Sequence, residues 1–148
     1  MKAGTRAVID TNVLFEGLTR QDSVPTFIID AWREGIFQPC VSNALAYEYV
    51  DVLSRKLASP RWLRAQPVVE ELLARSIFVP VFFSWRPSSP DPGDEHVVDC
   101  AMNARASVVT ANVRDFVWAG IQLGLEVLKP SEFLQQLTEQ VSPDSDQE

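Results

Sequence analysis

Hydrophobic residues fall along this chain in short blocks separated by polar punctuation, and the period of each block predicts its element. Ala7-Val8-Ile9 is a β-branched apolar run closed by Asp10-Thr11-Asn12, which predicts a short buried strand ending in an acid. Val13 to Leu18 predicts a short helix ending near Gly17 or Thr19. Ser23 can cap a second helix, with Pro25 in its first turn, that runs to Glu34 and stops at Gly35. Phe27, Ile28, Ala31 and Trp32 form its apolar stripe. Phe37 to Val41 reads as a second strand, and Ser42 as the N-cap of a third helix reaching about Lys56.

Ser59-Pro60 opens a region rich in bases, with Arg61 and Arg64, followed by Pro67 and a helical run from Val68 to Arg75. Ile77 to Phe83 is a strongly apolar strand interrupted by Pro80, which places it at a sheet edge or strand end. Residues 84–93 hold four prolines and glycines and three serines, so they form a loop. Beyond it, Asp94 to Ala104 predicts a helix, Ser107 to Thr110 a buried strand, and Val113 to Ala119 a short turn or helix. Glu126 to Leu128 reads as a last strand and Pro130 to near Gln140 as a final helix. Strands alternating with helices predict an α/β fold with a parallel sheet.

At 148 residues the chain is expected to be one domain, 1–140, followed by an acidic disordered tail, 141–148. No apolar run is long enough to cross a bilayer and the N-terminus lacks a signal-peptide core, so the expected compartment is the cytoplasm, away from membranes. Cys40 and Cys100 sit among apolar neighbours and predict buried free thiols. One histidine and two scattered cysteines cannot build a zinc finger, which leaves open a hard-cation site made of oxygens. The net charge of −7 argues at first against a nucleic-acid partner. From Glu139 onward, however, there are four acids and no bases, so residues 1–138 carry 16 acids against 13 bases. If four of those acids held metal, the remaining surface would be near neutral. Acidity neither establishes nor excludes a polyanionic substrate.

Helical periodicity separates inward acids from solvated ones. Leu45, Tyr49, Val52 and Leu53 define one face of the third helix, and Glu48 lies three after Leu45 and four before Val52, on that face. Asp51 falls off it and reads as solvated. Asp94 precedes Val97 and Val98 by three and four residues, at the start of its helix on the inward side. An acid there also favours the helix dipole, which is its structural reading. Asp99, Glu95 and His96 lie off that face, so a surface role is expected for the two acids, and nothing else marks His96 as a base. The strand Ser107 to Thr110 ends in Thr110-Ala111-Asn112-Val113-Arg114-Asp115-Phe116, and in α/β sheets the carboxyl ends of strands present the chemistry. Asp115 alone could be a helix cap.

Singly, each of Asp10, Glu48, Asp94 and Asp115 has a structural reading; together they converge on a four-carboxylate site. Oxygen ligands without histidine or cysteine suit Mg²⁺ or Mn²⁺. Such ions activate water and stabilise a leaving oxygen in phosphodiester hydrolysis.

These residues resemble the PIN-domain ribonucleases, which include the VapC-type toxins of bacterial toxin–antitoxin pairs. Val8-Ile9-Asp10-Thr11-Asn12 is similar to the family's first motif, with Asp10 on metal and Thr11 and Asn12 in support. Ser42 followed by Glu48-Tyr49 is similar to the second. Asp91-Pro92-Gly93-Asp94-Glu95-His96-Val97 is similar to the third, with Asp94 in the metal-binding place and Asp91 an accessory acid. Thr110-Ala111-Asn112 through Asp115-Phe116 is similar to the fourth, with Thr110 and Asn112 supporting Asp115. The resemblance spans roughly residues 6–135. It implies a three-layer α/β/α sandwich with a central, mainly parallel sheet, Mg²⁺ or Mn²⁺ dependence and endonucleolytic cleavage of RNA. It further implies a homodimer and a small antitoxin that blocks the site. His96, Asp99 and the long Pro-rich loop before Asp94 depart from the toxins' pattern.

Arg61, Arg64 and Arg114 are candidate phosphate contacts, and Trp62 is expected to be buried against the helix layer rather than stacked on a base. A phosphoryl-transfer enzyme with an aspartyl intermediate needs a lysine near the phosphoryl group, and none of Lys2, Lys56 and Lys129 follows a suitable later strand. The alternative from another class is a catalytically silent PIN-fold module that binds RNA or a protein. A missing carboxylate would favour it, and none is missing.

Overall fold

The computed structural model of this chain describes residues 4–84 and 94–141. Strand β1, Arg6–Ile9, buries Ala7, Val8 and Ile9. Asp10 ends it and caps helix α1, Thr11–Thr19, by accepting the Thr11 N–H. Helix α2, Val24–Arg33, begins on Ser23, whose hydroxyl accepts the Thr26 N–H, with Pro25 in the first turn where its missing donor costs nothing. Strand β2, Gln38–Val41, runs into Ser42, which caps helix α3, Asn43–Lys56, through the Leu45 N–H. Each cap satisfies a donor that a helix start otherwise leaves unpaired.

Three expectations need correcting. Helix α4 spans Ser59–Ala74 and carries Pro67 inside it, instead of starting at Val68. Pro67 and Leu63 are both exposed, so the carbonyl that loses its helical donor at Pro67 faces water, which lowers the cost of an interior proline. The apolar run from Ile77 forms only strand β3, Ile77–Phe78, and its last backbone tie to the sheet is Val79 N–H to the Val41 carbonyl. Pro80 follows without a donor, and Phe82 and Phe83 are held instead through their N–H groups by the Asn103 side chain, at 3.0 and 3.3 Å. On α2 the stripe uses Ile29 where Phe27 was expected, and Phe27 is exposed.

The second half comprises helix α5, Glu95–Ala104, strand β4, Ser107–Val109, a 3-10 turn at Val113–Phe116, helix α6, Val117–Leu123, strand β5, Val127–Leu128, and helix α7, Pro130–Val141. The strands form one five-stranded sheet in the order β3-β2-β1-β4-β5, and every pairing between described strands is parallel. With helices on both faces, this is the expected α/β/α sandwich. From β1 the chain steps outward through β2 and β3, then returns to the other side of β1 with β4. The strand order therefore reverses between β1 and β4, and the crevice at their carboxyl ends is where such sheets bind ligands.

The core joins the layers through aromatic side chains. Trp32 of α2 meets Phe37 and Tyr49 edge-on, at 6.3 and 6.4 Å between ring centroids, and Phe37 meets Phe133 of α7 at 5.0 Å. The buried Trp32 indole N–H donates to the Leu72 carbonyl of α4 at 3.0 Å, which satisfies the ring's one polar atom.

Helix α1 approaches α2 closely at Gly17. A Cβ there would lie 2.6 Å from Ile29 Cγ1 and 2.8 Å from the Pro25 carbonyl oxygen. In an open helix, Gly→Ala gains up to about 1 kcal/mol. At this position Gly17→Ala should instead destabilise by about 1–3 kcal/mol, because the backbone of α2 must move. Urea unfolding checks the sign: a neutral or stabilising alanine would mean the two helices are not in this contact.

Candidate active site

Asp10 stands at the reversal of strand order. Its N–H donates to the Val109 carbonyl at 2.9 Å, tying the end of β1 to the end of β4. One carboxylate oxygen accepts the Thr11 N–H at 2.8 Å and the other accepts the Thr110 hydroxyl at 2.7 Å. Thr110 in turn accepts the Asn112 N–H at 3.0 Å, and Asn12 Oδ1 accepts the Ala111 N–H at 3.4 Å. The polar residues expected at both strand ends thus form one connected network. Asp10 is 4% exposed, and burial raises its pKa above the ordinary 3.8. The hydrogen bonds from Thr110 and Thr11 oppose that rise, while the nearby Glu48 and Asp115 carboxylates add to it.

Glu48 reaches this network from α3, where the Thr11 hydroxyl donates to its Oε2 at 2.8 Å. One residue on, the fully buried Tyr49 hydroxyl donates to the Ile9 carbonyl at 2.5 Å and pins α3 against the end of β1. This positioning contact was invisible in the sequence, where Tyr49 counted only as an apolar-face residue. Asp115 lies within the 3-10 turn after β4, not at a helix cap. Asp94 occupies the position before α5, half-buried, and its side chain makes no capping hydrogen bond to that helix. Ser42 is buried as the cap of α3. Asp91 lies outside the described residues.

Asp99 departs from its expected surface role: it is 4% exposed, and the Ser84 hydroxyl donates to its Oδ2 at 3.4 Å. The periodicity of α5 cannot see partners from outside the helix, and Ser84, from the segment after β3, is one of them. His96 is half-buried, and Arg61, Arg64 and Arg114 are exposed. Trp62 is partly buried against the core, as expected for an aromatic on α4. Both cysteines are buried free thiols, and burial holds the Cys100 thiol up at about 12, far from a reactive thiolate.

Among the described residues, no three or more acids, histidines or cysteines stand together as a metal-binding group. The groups that are coupled, Asp10, Glu48 and Asp115, offer oxygen alone, which is the donor chemistry of a hard divalent cation. An ionised carboxylate has about four lone-pair directions, so Asp10 keeps two after serving Thr11 and Thr110. A cation there would also relieve the repulsion that raises its pKa, so the residues fit such an ion.

The sequence profile of the PIN domain matches residues 6–114, most of the chain, including Asp10, Glu48 and Asp94 and stopping one residue short of Asp115. The chain belongs to the PIN domain family. Solved structures share its PIN fold at low identity. A chain of FitAcB from Neisseria gonorrhoeae is 16% identical, with a TM-score of 0.58 over 84% of this chain and 97% of that one. A chain of VapBC2 from Rickettsia felis, bound to a DNA fragment from their promoter, is 11% identical with a TM-score of 0.59 over 84% and 98%. A chain of FitAB bound to the IR36 DNA fragment is 15% identical, with a TM-score of 0.58 over 84% and 94%. No curated protein sequence matches this chain. No helix among the described residues is long and apolar enough to cross a membrane.

Proposed function

We propose that this PIN-domain protein is a metal-dependent endoribonuclease that hydrolyses RNA phosphodiester bonds, and that it acts as the toxin of a toxin–antitoxin pair. The observation that carries this is the buried Asp10 carboxylate at the β1–β4 crevice, held by Thr11 and Thr110 and coupled to Glu48 and Asp115. Asp10, Glu48, Asp94 and Asp115 would hold Mg²⁺ or Mn²⁺. When bound, the ion supplies charge neutralisation for the attacked phosphate and lowers the pKa of water. Thr11 orients two of these acids at once, through its N–H to Asp10 and its hydroxyl to Glu48. Thr110, Asn112 and Asn12 fix the loop that carries Asp115, and Ser42 fixes the helix that carries Glu48. Asp91 is assigned as an accessory acid, and Arg114, beside Asp115, as a phosphate contact. The fold likeness to chains of FitAB and VapBC2 supports a small antitoxin as partner, and a homodimeric toxin is part of the same proposal.

The deciding experiment incubates purified protein with a mixed, structured RNA pool in Mg²⁺, in Mn²⁺ and in chelator, beside Asp94→Asn. Cleavage that needs the metal and disappears in the variant is expected. Absent cleavage, or equal cleavage by both proteins, would replace this reading with a silent PIN-fold binding module.

A further inference from the structure

We propose that a cleft at the far ends of α1 and α3 is the track for the RNA backbone leading to the acids, an inference that rests on the ribonuclease reading above. The cleft measures about 490 Å³ and is lined by Gly17 and Arg20 at the end of α1, Leu57 after α3, and Arg61 and Arg64 on α4, with Asp22 as its one carboxylate. Three arginines facing one acid run against the balance of a chain whose net charge is −7.

Arg61 and Arg64 differ in their pairing from three other exposed arginines. Arg55 pairs with Asp51 at 3.1 Å, and Arg33 and Arg75 share Glu71 at 2.9 and 3.1 Å. Arg20 gives one nitrogen to Glu16 at 2.6 Å, and Arg61 and Arg64 make no ion pair with any described carboxylate. Each exposed guanidinium keeps donors in the planar fork that suits phosphate. Arg61 and Arg64 are one helical turn apart, about 5–6 Å between Cβ atoms, which sets them on successive phosphates of a strand and not both on one.

The cleft also lies at a useful distance. Asp10 caps the start of α1 and Gly17 is near its end; Glu48 is in α3 and Leu57 just follows it. At a rise of 1.5 Å per residue both paths separate the acids from the cleft by roughly 10–14 Å. A stacked strand carries a phosphate about every 3.4 Å, so three or four phosphates bridge the two. The acids repel an approaching polyanion, and the arginines offset that repulsion where it is felt by the same strand. A single RNA strand carries phosphates at the spacing that joins the arginines to the carboxylates, where its scissile phosphate must lie, so RNA is the occupant the geometry favours.

The test measures binding apart from cleavage. A labelled mixed-sequence single-stranded RNA is titrated by fluorescence anisotropy in chelator with wild type, with Arg61→Ala/Arg64→Ala, and with Arg55→Ala/Arg75→Ala, a control that removes the same charge from ion-paired, exposed positions. The cleft variant should bind at least about tenfold more weakly at low salt, and its log–log salt slope should fall by about 1.4, at about 0.7 per lost single-strand phosphate contact. The control should bind like wild type. Equal affinity and slope for all three proteins, or no RNA binding by wild type, overturns the cleft. Arginine-dependent binding of poly-glutamate without RNA binding overturns it in favour of a protein partner. Arginine-dependent RNA binding by a wild type that never cleaves leaves the cleft standing and removes the nuclease. Cleavage with an indifferent cleft variant does the reverse.

Discussion

Asp10→Asn should lower RNA cleavage by about 10²–10³-fold or more while making the metal-free protein more stable at neutral pH. Both effects come from the same carboxylate. Burial and the neighbouring acids raise its pKa in the folded chain above the ordinary 3.8, so folding favours the protonated form. The stabilisation that Asp10 contributes is therefore complete below about pH 4 and is lost as pH rises through the raised folded value. At pH 7 without metal, wild type bears the cost of a buried carboxyl next to other acids, and the asparagine variant does not. The amide keeps both contacts: its oxygen can accept the Thr11 N–H and its NH₂ can donate to Thr110 Oγ1, which already accepts the Asn112 N–H, so the Thr110 hydroxyl gives up its acceptor and offsets part of the gain. In chelator, urea unfolding should favour the variant at pH 7 and show no advantage at pH 4. Mg²⁺ should reverse the order, since an ion at 100 times its dissociation constant stabilises by about 2.7 kcal/mol and only wild type binds it fully. A variant that unfolds in chelator at pH 7 would remove Asp10 from the site and make it a structural cap of α1.

The features legible in the sequence were those that local chemistry dictates. Ser23 and Ser42 announced helix starts because a hydroxyl before an apolar period has one obvious use. Asp10 and Thr110 announced themselves as polar ends of β-branched runs. What linked them, a hydrogen bond across 100 residues, depended on β4 lying beside β1, and no local pattern carries that neighbour relation. Glu48 was readable as an inward acid because one helix face suffices to show it. Asp99 was misread by the same rule, since the helix pattern carries no sign of a partner from outside the helix such as Ser84. Pro67 misled in the opposite direction: a proline predicts a helix boundary only when the lost hydrogen bond cannot be replaced by water. Tyr49 shows the remaining limit, because its apolar ring fixed its face while its hydroxyl's partner, the Ile9 carbonyl, is a property of the assembled fold.

Thr110→Val should reduce cleavage at neutral pH by about 10–100-fold, the scale of losing a group that orients a metal-binding side chain. Valine keeps the shape of threonine at this fully buried position and removes only the hydroxyl. Asp10 then loses the hydrogen bond that most opposes the rise in its pKa, and the Asn112 N–H loses its acceptor. The unpaired groups cost about 1–3 kcal/mol of stability, which urea unfolding reads. The kinetic signature separates this from simple loosening. If Asp10 must be ionised for activity, the acid limb of the pH–rate profile moves to higher pH in the variant, so the deficit is larger at pH 6 than at pH 8. Thr110→Ser retains the hydroxyl and should restore both the limb and most of the rate. A uniform loss at every pH that serine fails to repair would mean that Thr110 only packs the strand end. A shifted limb repaired by serine would mean that the hydroxyl sets the charge state of Asp10, and with it the affinity of the site for any divalent ion.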